Sequence, residues 1–190
     1  ISEKRGNRGK RAYENLVQFG FEGKICLVNP HYTYMLGQKC YPTLNEIPDE
    51  IDCILIATAK ERVLQVLEEG VQKGICAAVI LARGFGEAGS EGAVDEERLQ
   101  PFINKNSKFK ICGPNCLGII NVHKKMPLHS GTMECLIPGN IGVVSQSGGL
   151  GQGIVQAATE RGLGFSYIIS SGNVSCIDGV AYIEYLIDDP

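Results

Sequence analysis

Close to its start the chain carries Lys4-Arg5-Gly6-Asn7-Arg8-Gly9-Lys10-Arg11, five cationic side chains around two glycines where an amphipathic stretch begins. Glycines let backbone N–H groups approach an anion, and a helix starting here adds the partial positive charge of its N-terminus. The density of charge suits a ligand with several phosphates, such as coenzyme A with its pyrophosphate and 3′-phosphate. A solvated basic segment is the plainer reading of the same run. A second anion-ready turn is Val144-Ser145-Gln146-Ser147-Gly148-Gly149-Leu150, where an apolar run gives way to a helical pattern. Ser145-x-Ser147-x-Gly149 has the outline of a nucleophile elbow, but that order needs an acid and then a histidine downstream. The three histidines, His31, His123 and His129, all lie upstream. N–H groups and serine hydroxyls gripping a phosphoryl group fit better; the plainer alternative is a βα turn that needs glycine.

Three further loops follow apolar runs: Thr58-Ala59-Lys60, Ala82-Arg83-Gly84-Phe85 and Gly113-Pro114-Asn115-Cys116-Leu117-Gly118. In a parallel sheet, loops beyond the strand C-termini surround one crevice. Cys116 there invites a nucleophile reading, yet no histidine is close in sequence to activate it, so a small residue lining the crevice is expected instead. An NAD site calls for an acidic residue after the second strand to bind the ribose. After Val28 the chain has Asn29-Pro30-His31-Tyr32, with no carboxylate. NAD is disfavoured, while NADP and coenzyme A remain; His31 is placed to meet a phosphate.

The elements that must position these loops alternate. Strands are expected at 24–28, 51–57, 75–81 and 109–112, with helices at 8–19, 59–73 and 91–106. In the second helix Val63, Leu64, Leu67 and Val71 form the apolar stripe. This alternation implies βαβ units and a parallel sheet, and the unbroken apolar runs DCILIA and CAAVIL suit strands covered on both faces. Turn chemistry at Gly113-Pro114-Asn115 and Pro138-Gly139-Asn140 interrupts the rhythm. A Rossmann-like first domain at 1–125, a linker at 126–138 and a second domain at 139–190 are expected. The second holds strands at 141–144 and 165–170 and helices at 149–161 and 177–187. Both ends read as cut: the first domain begins in its phosphate loop, without the strand that normally precedes it, and the second has only two strands.

Of 190 residues 44% are hydrophobic and 21% charged, with net charge -3, which does not describe a nucleic-acid binder. No apolar run is long enough to span a bilayer. Eight cysteines, several inside strand-like runs, include no C-x-x-C pair. They read as buried thiols in a reducing, cytoplasmic setting, with no zinc site or disulfide scaffold expected.

The segments FGFEGKICLVNPHY, LGQKCYPTLNEIP, ILARGFGE, GPNCLGIIN, GNIGVVSQSGGLG, GFSYIISSGN and IEYLIDDP, in this order, cover essentially the whole chain. Together they resemble the nucleoside-diphosphate-forming acyl-CoA synthetases, relatives of the succinyl-CoA synthetase α subunit. The resemblance implies a Rossmann-like CoA-binding domain followed by the start of a flavodoxin-like domain. It implies that Arg5, Gly6, Asn7 and Arg8 hold CoA phosphates, that His31 stands at a second phosphate contact, and that Ala82 and Arg83 touch CoA. Thr58 stands where the family often has proline. Asn115 and Cys116 match the turn near the CoA thiol, and Ser147, Gly148 and Gly149 match the helix start that stabilises a phosphohistidine. That histidine lies further downstream. The implied parent reaction is acyl-CoA + NDP + phosphate ⇌ acid + CoA + NTP. Its implied partners are a small carboxylic acid, ADP/ATP with Mg, and a nucleotide-grasping domain or subunit in an oligomeric parent. Two other readings are a CoA-sensing module of a protein lysine acetyltransferase and an NADP-binding domain of a reductase.

Overall fold

A computed structural model of the chain describes residues 1–2, 6–132 and 136–189. In chain order the elements are α1 (Arg8–Gln18), β1 (Leu27–Val28), β2 (Tyr34–Met35), β3 (Gln38–Tyr41), β4 (Ile54–Ile56), α2 (Val63–Gln72), β5 (Ala77–Ile80), α3 (Ser90–Glu97), α4 (Gln100–Lys105), β6 (Lys110–Cys112), β7 (Gly118–Asn121), β8 (Met126–His129), β9 (Pro138–Ser145), α5 (Gly148–Thr159), β10 (Phe165–Ser170) and α6 (Gly179–Asp188). Strands β4, β5 and β6 form the expected parallel sheet. Val63 and Leu67 of α2 pack with Ile54, Ile80, Ile111 and Phe109 in its core. Val71, expected in the same stripe, is exposed. Gly70 faces the sheet instead, and a Cβ there would lie 2.6 Å from Ile54 Cδ1. Glycine thus lets the helix sit close to β4.

Several boundaries differ from expectation for physical reasons. The helix expected at 91–106 is two helices. Pro101 has no N–H for the Glu97 carbonyl and its ring crowds that carbonyl, so α3 ends and α4 restarts with proline in its first turn. The strand expected at 24–28 is only Leu27–Val28, because only these residues find partners, Cys40 and Tyr41 of β3. The β2–β3 hairpin carries its turn on Leu36 and Gly37, both at positive φ. That geometry usually announces itself with Asn-Gly or Asp-Gly, where this turn has Leu36-Gly37.

The larger correction concerns 113–138. Residues expected as turn and linker form β7 and β8, an antiparallel pair. β7 in turn pairs antiparallel with β10, which runs parallel to β9, giving a four-stranded mixed sheet in the order β8-β7-β10-β9. The two strands expected to stand alone therefore share their sheet with the chain that leads into them. Ala12 of α1, Val79, Leu81, Cys112 and Cys116 pack in one cluster with Ile169 of β10 and Tyr182 of α6, so apolar burial joins the two halves.

Asn15 of α1 is buried and donates through Nδ2 to the carbonyls of His129 (2.7 Å) and Gly131 (3.0 Å). His129, also buried, accepts the Gly131 N–H at Nδ1 over 3.0 Å. Burial, and then the Arg8 charge, push its pKa from 6.5 down to about 4. The unfolded chain protonates this imidazole at higher pH than the folded one does. The stability held above pH 6.5 is therefore lost as pH falls toward 4, a difference of about 3 kcal/mol at most. Urea midpoints recorded from pH 7 to pH 4 should fall in this window, and His129→Gln should flatten the fall. Equal pH dependence in both proteins would show that His129 is not its source.

Candidate functional site

The basic run does open a helix. Asn7 is the N-cap of α1, and its Oδ1 accepts the Lys10 N–H over 2.9 Å. No acidic side chain occupies the first turn, so the helix end keeps its partial positive charge. Gly6 precedes the cap at φ 78. A Cβ on Gly9 would lie 2.9 Å from Ala57 Cβ, so glycine allows the helix start to settle against the end of β4. Arg5 lies outside the described residues.

Arg8 turns inward and donates through Nη1 to the Leu81 carbonyl at the end of β5. Burial, and then the neighbouring Arg83 charge, lower its pKa. Among the described residues, no ion pair reaches Arg8, Arg11 or Arg83; the four recorded pairs involve Lys10, Lys24, Lys60 and Arg98. Like charges held together at a cost in desolvation leave room for an anion to neutralise them.

The loops expected around the crevice do meet. Asn115 N donates to the Ala82 carbonyl over 2.9 Å. A Cβ on Gly84, whose φ is 96, would lie 3.1 Å from Lys60 Cδ. Lys60 is tied to Asp95 at 2.6 Å. Asn115 itself sits at φ 54, a left-handed conformation that asparagine tolerates. Cys116, expected to line the crevice, lies beneath the turn instead, 1% exposed, with its thiol 3.3 Å from the Ile80 carbonyl. The Cys112 thiol beside it, and burial, hold the Cys116 thiol protonated, well above the ordinary range. That is the opposite of an activated nucleophile. His31 is exposed on the loop after β1, and its backbone N–H donates to Asn29 Oδ1 over 2.9 Å. Among the described residues, its imidazole makes no hydrogen bond to Arg8, Arg11 or Arg83.

Ser147, Gly148 and Gly149 open α5. Ser147 is the N-cap, its Oγ accepting the Leu150 N–H at 3.3 Å, while Ser145 Oγ donates to the Ser147 carbonyl at 2.8 Å. A Cβ on Gly148 would lie 2.4 Å from Leu117 Cγ, and around Gly149 there is open space. Glycine at 148 thus seats the α5 start directly on the turn that carries Asn115 and Cys116. The two helix starts and the β5 and β6 loops are therefore parts of one connected region.

Sequence reasoning assigned no role to Asn173, Glu87 or Glu96. Asn173 Nδ2 donates to Glu87 Oε2 (2.7 Å) and Glu96 Oε2 (2.8 Å). Burial pushes the Glu87 carboxyl up, but donors from Gly84 N and Asn173 outweigh it and hold its pKa below the ordinary value. The sequence signal was only an asparagine after Ser-Gly, which reads as a turn.

Among the described residues, no group of three or more His, Cys, Asp or Glu is arranged to hold a metal ion, and no helix is long and apolar enough to cross a membrane. The fold and these helix starts define an α/β protein of the nucleotide-cofactor-binding class. The family model described as CoA binding domain matches residues 1–122, and the chain belongs to that family. The model of the succinyl-CoA ligase-like flavodoxin domain matches residues 138–190. The chain is 38% identical over 180 residues to the α subunit of acetate–CoA ligase [ADP-forming] II of Pyrococcus furiosus, covering 95% of this chain and 38% of the relative. It is 36% identical over 192 residues to a trans-feruloyl-CoA synthase of an unknown prokaryote, covering 99% of this chain and 27% of the relative. Its fold matches the structure of the dinucleotide-forming acetyl-coenzyme A synthetase 1 of Ca. Korarchaeum cryptofilum, in complex with phosphate and ADP. That match has a TM-score of 0.91 at 29% identity and covers 100% of this chain and 40% of the other. The chain spans less than half the length of each of these relatives. The resemblance to the ADP-forming acyl-CoA synthetases holds along the whole chain.

Proposed function

We propose that this chain is the CoA-binding part of an acid–CoA ligase interconverting acyl-CoA, NDP and phosphate with acid, CoA and NTP through a phosphohistidine. The observation that supports it best is the cluster of Arg8, Arg11 and Arg83, which has no carboxylate partner among the described residues and lies beside the α1 N-terminus. In this reading Arg8 and Arg83, with Arg5, grip the phosphates of CoA, and the free N–H groups of the first turn of α1 add to them. Gly6 and Asn7 set the backbone of that loop, and His31 supplies an outlying contact. Ala82 and Asn115 shape the path toward the thiol end, with Cys116 packing beneath. Bound CoA supplies the thiol that becomes the thioester. Ser147, Gly148 and Gly149 present an α5 start without acidic residues to a phosphoryl group. The phosphorylated histidine, the nucleotide with its Mg and the nucleotide-grasping domain or subunit are assigned to the rest of an oligomeric protein, which also selects the small carboxylic acid. The free cysteines suit a cytoplasmic setting.

CoA titrated calorimetrically into wild type and into Arg8→Ala/Arg83→Ala tests the reading. Each lost charge-assisted contact is worth about 1.5–3 kcal/mol, so the double variant should bind roughly a hundredfold more weakly or worse. Arg8→Lys should recover only part of the loss, because a point charge does not replace the planar fork. NAD should not compete. Equal CoA affinity in wild type and double variant, or micromolar NAD binding that CoA does not displace, would overturn the assignment.

A further inference from the structure

The turn carrying Asn115 does not hold itself in place. The loop after β10, residues 172–175, lies directly upon it. A Cβ on Gly172, whose φ is 64, would meet the Pro114 carbonyl oxygen at 2.2 Å and Cys116 N at 2.9 Å. Only a glycine lets the two backbones approach this closely. The next residue reaches across: Asn173 N donates to the Pro114 carbonyl over 2.9 Å, and Asn173 Oδ1 accepts from Asn115 Nδ2 over 3.2 Å. Ser175 N donates to the Gly113 carbonyl at 3.3 Å. The Asn173 amide is oriented from its other side, because both its N–H bonds are taken by Glu87 and Glu96, at 2.7 and 2.8 Å. With both carboxylates acting as acceptors, the amide can present only its oxygen to Asn115. Val174, between these contacts, is held at φ 63, which a β-branched residue adopts only when its surroundings impose it.

We infer that Asn173 is a positioning residue for the thiol end of the CoA crevice: anchored by Glu87 and Glu96, it fixes Asn115 and the Gly113–Cys116 turn from the far side of the domain boundary. The inference rests on the reading of this crevice as a CoA site. It makes the second half of the chain a part of the cofactor site of the first.

Two probes separate the ends of the crevice: CoA, and 3′-phosphoadenosine 5′-diphosphate, which keeps the phosphates but has no pantetheine arm. In calorimetry on the full protein, Asn173→Ala should raise the CoA Kd roughly three- to tenfold, the worth of a neutral hydrogen bond or two, and leave the Kd of the armless nucleotide unchanged. Asn173→Asp should do at least as much harm as alanine, because it sets a third carboxylate against Glu87 and Glu96. If Asn173 acts through Asn115, the Asn115→Ala/Asn173→Ala double variant should bind CoA no worse than Asn115→Ala alone. Additive losses, equal losses for both probes, or CoA affinity unchanged by either Asn173 variant would overturn the positioning role while leaving the CoA reading intact. Wild-type protein that binds neither probe overturns the CoA reading and the inference with it.

Discussion

On the proposed function, Ser147→Ala introduced into the full-length protein should slow formation of the phosphohistidine by about 10²–10³ while CoA affinity stays nearly unchanged, the typical cost of removing one preorganised donor from such a site. Two facts about Ser147 motivate this. Its Oγ lone pair is engaged by Leu150 N at 3.3 Å, which leaves the hydroxyl proton free to point out of the helix start. The residue is also exposed, next to the open space around Gly149. Alanine removes the cap as well as the donor, and a lost cap costs about 1 kcal/mol of stability by itself. Ser147→Asp separates the two effects: aspartate caps as well as serine, but its charge repels a phosphoryl group. If Ser147 works by donating, the aspartate variant keeps its melting temperature and phosphorylates as slowly as alanine or more slowly. Ser147→Thr should retain most of the rate. The readout is base-stable, acid-labile phosphate incorporated from labelled ATP, with CoA calorimetry alongside. A Ser147→Ala protein that phosphorylates at the wild-type rate but loses CoA would move the α5 start into the CoA site.

What the sequence announced and what it hid divide along physical lines. The helix starts near Arg8 and Gly149 were legible because caps and glycines are local chemistry, and β4 and β5 because strands covered on both faces read as unbroken apolar runs. Loops that follow such strands in a parallel sheet must come together, so the Thr58, Ala82 and Asn115 loops could be placed around one crevice without coordinates. Long-range pairing was not legible. Gly118–Asn121 and Met126–His129 are short and bounded by turn residues, and they become strands only because β10 offers an edge to β7. The exposure of Val71 in place of a buried stripe depended on how closely Gly70 lets α2 approach β4, which no periodicity encodes. Asn173 looked like turn punctuation because Glu87 and Glu96, which orient it, are remote in the sequence.

Gly118 joins the two halves of the fold, and Gly118→Ala should cost more than about 4 kcal/mol, a large share of the 5–15 kcal/mol that holds a typical domain together. It stands at φ 112, where an L residue is strained by roughly 1–3 kcal/mol. A Cβ there would lie 1.9 Å from the Leu128 carbonyl oxygen and 3.0 Å from its carbon, both backbone atoms with no rotamer to yield. Gly118 pairs with His129 of β8 on one side and Ser170 of β10 on the other. Relief of the overlap must therefore pull apart one of these ladders, at about 1 kcal/mol for each hydrogen bond lost. The same methyl group added at Gly153, exposed on α5 with nothing within 4 Å, should stabilise the protein by about 0.5–1 kcal/mol, as alanine for glycine in a helix interior does. Urea unfolding of the two variants and wild type measures the contrast: a much lower midpoint for Gly118→Ala, a slightly higher one for Gly153→Ala, and a common slope if the unfolded states are alike. Because β7 follows directly from the turn carrying Asn115 and Cys116, any Gly118→Ala protein that still folds should also bind CoA less tightly. A Gly118→Ala midpoint within a few tenths of a molar of wild type would mean that β7 and β8 do not approach as closely as described, and the shared four-stranded sheet would need to be redrawn.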